Sequence, residues 1–124
     1  MFLATTNKVI RLLHISFIGD VEPEEIHEGR EMLSEILEDL PTGLLLLVDL
    51  ERLHFMSKEC APEIGWLMEL FDRKGVAQVV RVIPDKTKDI GLQVLYLLHY
   101  KNPPPLIVCE SILEAENILC GGKK

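Results

Sequence analysis

Asp49, Ser57, Cys60 and four scattered histidines are the side chains of this sequence best suited to chemistry. Asp49 nearly closes an apolar run, Leu44-Leu-Leu-Leu-Val-Asp-Leu50. A carboxylate so placed can act as a general base, or it can accept backbone N–H groups where a strand turns into a loop. No His or Cys stands at a motif spacing from it, which favours the turn. Ser57 precedes a helical pattern, so it reads as an N-cap, or as a phosphoacceptor whose dianion a helix N-terminus would favour. Cys60 lies at the same helix start, where a thiol pKa can fall; a buried structural thiol is the other reading. His14, His27, His54 and His99 form neither an HExxH nor a His-x-His pattern, so no metal site is expected. GxSxG, P-loop and GxGxxG motifs are absent. An enzyme built on this chain would have to assemble Asp49, His54 and Cys60 at one sheet edge.

The elements that must position these groups follow from apolar patterning. With 124 residues and 48% apolar side chains, the chain suits a single domain, 1–124, with its own core. Net charge is −7 with 13 basic residues and no basic stripe, which disfavours nucleic acid and acidic membrane surfaces. Three widely spaced cysteines make no disulfide framework, so reduced thiols and a cytoplasmic location are expected. No apolar run approaches the ~18 residues of a membrane span, and Met1–Asn7 lacks the features of a signal peptide.

Leu44–Leu50, with Pro41 and Gly43 before it, reads as a strand buried on both faces in the middle of a parallel sheet. Ahead of it, Phe2–Ala4 and Val9–Ile18 suggest a hairpin closed at Thr5–Lys8. Pro23 then opens a helix of about four turns, with Ile26, Leu33, Ile36, Leu37 and Leu40 inward and Glu28, Glu31, Glu35 and Glu38 on a solvated face. Glu51–Ser57 reads as a connection. Cys60, Ile64, Leu67, Met68 and Phe71 mark a second helix that stops at Gly75. Val76–Ile83 is a β-branched strand, and Asp85 is placed to cap a helix over Lys86–Tyr100. That third helix is apolar almost all round, which implies core packing, a protein interface or a ligand groove. Leu106–Cys109 is a last strand, Ser111-Ile-Leu-Glu114 a capping box, and Cys120–Lys124 a frayed tail. Such alternation gives an α/β fold, a mostly parallel sheet with an N-terminal hairpin and about four helices packed on one side.

This arrangement resembles the STAS domain, shared by anti-sigma-factor antagonists and the C-terminal domains of sulfate transporters. Leu46-Leu-Val-Asp-Leu-Glu-Arg-Leu-His-Phe-Met-Ser57 carries the likeness, with the helix ending at Gly75, the strand Gln78–Ile83 and Ser111-Ile-Leu-Glu-Ala115. In antagonist members, an Asp followed by a phosphorylatable Ser stands at the start of the helix after this strand. Laid on that pattern, Ser57 falls on the Asp and Lys58 on the phosphoacceptor; a shift of one residue makes Ser57 the acceptor. Glu59-Cys-Ala-Pro62 replaces the usual Gly-containing sequence. The resemblance implies a bacterial, non-enzymatic regulatory module without a cofactor, binding a protein partner through Phe55, Met56, Ser57, Lys58 and Trp66. Trp66 lies off the Ile64–Leu67–Phe71 stripe and is expected as an exposed anchor. The alternative is a domain binding a small molecule or lipid against Leu92–Tyr100. A homodimer is compatible with either.

Overall fold

The computed structural model describes residues 1–85 and 89–121. The Lys86–Lys88 start expected for the third helix, on which the Asp85 cap depends, and the Gly122–Lys124 end of the tail lie outside them. Among the described residues seven strands form: β1 (Phe2–Asn7), β2 (Leu12–Phe17), β3 (Gly19–Val21), β4 (Leu44–Asp49), β5 (Leu53–Met56), β6 (Val76–Val82) and β7 (Leu106–Cys109). The helices are α1 (Pro23–Glu28), α2 (Arg30–Glu38), α3 (Ala61–Lys74), α4 (Asp89–His99) and the short α5 (Ile112–Glu116). A 3₁₀ turn at Lys58–Cys60 leads into α3, and a π turn at Asn117–Gly121 follows α5.

The main sheet has the order β1-β2-β4-β6-β7, antiparallel between β1 and β2 and parallel elsewhere. The run of four leucines therefore occupies the middle strand, as its composition requires. Leu44, Leu46 and Leu50 join the core beneath α1–α4. Leu47 joins a smaller cluster on the other face with Val80, Val82, Cys109 and Ala115 of α5. Burying each such leucine is worth about 1.5–3 kcal/mol, so a strand apolar on both sides is most stable with cover on both.

Three local readings are corrected. The hairpin turn lies at Lys8–Arg11, beyond the expected Thr5–Lys8, because Thr5 and Thr6 extend the strand and the Asn7 side chain accepts the Val9 N–H at 3.1 Å. The single helix expected from Pro23 divides at Gly29, where the Phe2 ring lies 2.9 Å from the place a Cβ would occupy. Glu51–Ser57 is not only a connection: Leu53–Met56 pairs in parallel with Gly19–Val21 as a two-stranded sheet.

The caps follow the sequence. Pro62 sits in the first turn of α3, where its missing N–H is no loss. Gly75 ends that helix at φ +88°, a left-handed conformation suited to glycine, and donates its N–H to the Phe71 carbonyl at 3.0 Å. Ser111 Oγ accepts the Glu114 N–H at 3.2 Å.

Candidate functional site

The end of β4 sets the geometry of everything after it. Asp49 is buried, and its Oδ1 accepts the Glu51 N–H at 3.0 Å, which bends the chain from β4 toward β5. Its Oδ2 faces His14 Nε2 at 3.4 Å, and the same nitrogen lies 3.2 Å from Ser16 Oγ. A Ser, a His and an Asp thus meet on one sheet face, but both contacts use Nε2. In a triad one ring nitrogen exchanges the serine proton while the other, as N–H, is held by the aspartate, so this cluster, with both partners on Nε2, is a hydrogen-bonded tie and not a triad. Its members share a face only through the β2–β4 register, which pairs Ser16 with Asp49. Alternation along β2 sets His14 on the same face as Ser16, and the pairing with β4 supplies Asp49.

From this bend the chain runs along β5, where His54 Nδ1 meets Asp20 Oδ1 at 2.6 Å. Ser57, half-buried and extended at φ −69° and ψ 155°, precedes the 3₁₀ turn and accepts the Cys60 N–H on its carbonyl at 3.0 Å. Its side chain makes no capping bond. The Cys60 thiol is buried and donates to the Val21 carbonyl at 3.5 Å. Burial pushes its pKa up, the reverse of what a reactive thiolate needs.

Between this loop and α4 lies an apolar groove of about 610 Å³. Phe55, Met56, Ser57 and Lys58 form one wall, Leu92, Val94 and Leu95 the other, and Cys60, Ile64 and Ile83 also line it. Four of the five residues expected at a partner surface therefore come together. Trp66 does not line the groove: it is half-buried, with the Arg30 guanidinium 4.4 Å over its ring. Arg30 in turn donates to Glu63 Oε1 at 3.0 and 2.7 Å. His54 and Cys60 line the groove, whereas Asp49 does not. The three groups an enzyme would need are thus engaged in separate contacts. Among the described residues no three His, Cys, Asp or Glu side chains are placed to hold a metal ion.

The other wall resolves the all-round apolar helix. Tyr96 and Tyr100 are buried against the core, and the Tyr96 hydroxyl donates to the Pro104 carbonyl. Val94, Leu97 and Leu98 remain exposed, Leu98 at 72%. Helix α4 approaches α3 where Gly65 leaves room: a Cβ there would stand 2.5 Å from His99 Nε2. No helix among the described residues is long and apolar enough to cross a membrane.

No protein-family model and no curated protein matches the sequence. Solved structures do match in shape. An uncharacterised DUF3478-family protein with a SpoIIAA-like fold, from Shewanella loihica PV-4, superposes with a TM-score of 0.69 at 16% identity, covering 97% of this chain and 93% of that one. The anti-sigma-factor antagonist SpoIIAA in its unphosphorylated form gives 0.65 at 14% identity, over 98% of this chain and 99% of that chain. The Bacillus cell-fate determinant SpoIIAA in its phosphorylated form gives 0.66 at 16%, over 96% and 99%. This chain therefore has a SpoIIAA-like fold, as the sequence resemblance implied.

Proposed function

We propose that this SpoIIAA-like chain is a non-enzymatic regulatory module that binds a protein partner through the loop after its central strand. The apolar groove between that loop and α4 is the observation that carries the reading, with Phe55 standing 55% exposed at its lip. An aromatic ring beside a concave apolar surface is the usual anchor of an interface. Phe55, Met56, Ser57 and Lys58 are the contacts; Trp66 supports Arg30 instead. The three cysteines are free, in keeping with a cytoplasmic setting. Ser57 is the proposed control point, since a phosphate there would put a dianion on the groove wall beside Lys58.

A photo-crosslinking phenylalanine analogue at position 55, compared with one at the exposed Met32 of α2, tests the surface in cells. A discrete protein adduct from position 55 alone is expected; equal labelling from both positions sinks the proposal. Mass spectrometry of protein from the same cells should find phosphate on Ser57, and phosphate elsewhere or nowhere removes the switch.

The groove also favours a second reading, an apolar small molecule or lipid, because its volume lies within the ~300–1,000 Å³ of ligand pockets. Native mass spectrometry of gently purified protein should then show an added mass, and a bare chain counts against it. A second copy of the chain on the exposed α4 stripe would appear in the same spectrum as a dimer.

A further inference from the structure

We infer that the space under α4 binds a long-chain carboxylate, with its headgroup on Arg81 and its chain leaving through the groove. This rests on the small-ligand reading of the groove and names the ligand class. Arg81 projects from β6 into the helix-covered core, where its side chain is only 3% exposed. There it lines an apolar cavity of about 40 Å³ with Leu46, Leu67 and Tyr96. A guanidinium in such a wall needs an anion, because burying it alone is costly. The anion is Asp89 of α4, whose Oδ1 lies 2.6 Å from Arg81 Nη1. Asp89 is 18% exposed, so it can turn toward water when another carboxylate takes its place.

The route is built from three side chains. Met56, Ile64 and Leu92 line both the cavity and the groove, so these three side chains are what stands between a chain lying in the groove and Arg81. Met56 is the adaptable member, with three rotatable bonds and no branch. Charge and size then choose the ligand. The groove offers apolar surface for an alkyl chain, and the inner cavity offers one cation in a small space. A planar carboxylate matches the guanidinium fork through two parallel hydrogen bonds. Binding exchanges one ion pair for another, and the buried chain supplies the driving force.

Calorimetric titration of the full chain with dodecanoate and, separately, dodecanol tests this. The acid is expected to bind about tenfold more tightly than the alcohol, as a charged hydrogen bond at a dry site should give. Asp89→Asn removes the competing carboxylate and should tighten dodecanoate while leaving dodecanol unchanged. Arg81→Met should abolish the preference; if Asp89→Asn does not fold, the wild type and Arg81→Met decide the matter alone. Equal affinity for both ligands in both proteins overturns the headgroup assignment and leaves the groove reading standing. Binding of neither ligand overturns both.

Discussion

Removing Asp89 should harm the fold far more than removing Arg81, although the two form one ion pair. Their burial is unequal: Arg81 is 3% exposed inside the core, Asp89 18% exposed at the start of α4, and they meet at 2.6 Å. Asp89→Ala leaves a guanidinium in an apolar wall without this counter-ion, a loss of about 3–5 kcal/mol. That is a large part of the ~5–15 kcal/mol that holds a domain together, and roughly 10 °C or more in melting temperature. Arg81→Met leaves Asp89 free to reach water and puts a flexible apolar side chain beside the Tyr96 ring, at about 1–2 kcal/mol. The double variant Arg81→Met/Asp89→Leu should return to within about 1 kcal/mol of Arg81→Met alone, because no buried charge remains. Urea unfolding followed by circular dichroism, arranged as a double-mutant cycle, gives all three values. The reasoning is refuted if Asp89→Ala proves milder than Arg81→Met, or if the double variant is as unstable as Asp89→Ala.

Asp49→Ala should cost about 2–3 kcal/mol in the same unfolding assay, since it strands the Glu51 N–H and releases His14, while Asp49→Asn should recover most of that by keeping an acceptor. Burial raises the pKa of Cys60, Cys109, Tyr96 and Tyr100, so these groups lose protons more readily in the unfolded chain. Stability from them is complete below the ~8.5 of an unfolded thiol and declines as pH rises further, which melting curves between pH 7 and 11 should show. Trp66→Ala should lower the melting temperature by exposing the Arg30–Glu63 pair, yet leave partner capture at position 55 unchanged; loss of capture without loss of stability would return Trp66 to the interface.

Much of the layered fold was legible because it is written in short-range pattern. Six apolar side chains in seven positions admit little besides a doubly covered strand, and the middle of the sheet is where such a strand fits. The Gly75 and Ser111 caps act within four residues of themselves, so they too could be read directly. What escaped depends on register and close approach. Strands β3 and β5 are three and four residues long and carry Asp20, His54 and an exposed Phe55, so neither shows a strand signature alone. Thr5-Thr-Asn7 resembles a turn by composition, but pairing with Leu12–His14 holds it as strand. Trp66 lies off the apolar stripe, as noted from spacing, yet a cation from another helix covers it. Only the packed α4 shows that the loop residues Phe55–Lys58 border a groove.

The decisive measurement is the affinity of the protein crosslinked at position 55 for two surface variants, Phe55→Asp and Leu3→Asp. Both side chains are exposed, at 55% and 44%, so neither change should disturb the core. Phe55→Asp is expected to weaken binding by about tenfold or more, as loss of an interface anchor does, with Leu3→Asp close to wild type. Equal affinities for the two variants, or the larger loss at Leu3, would contradict the assignment of the groove as the contact surface.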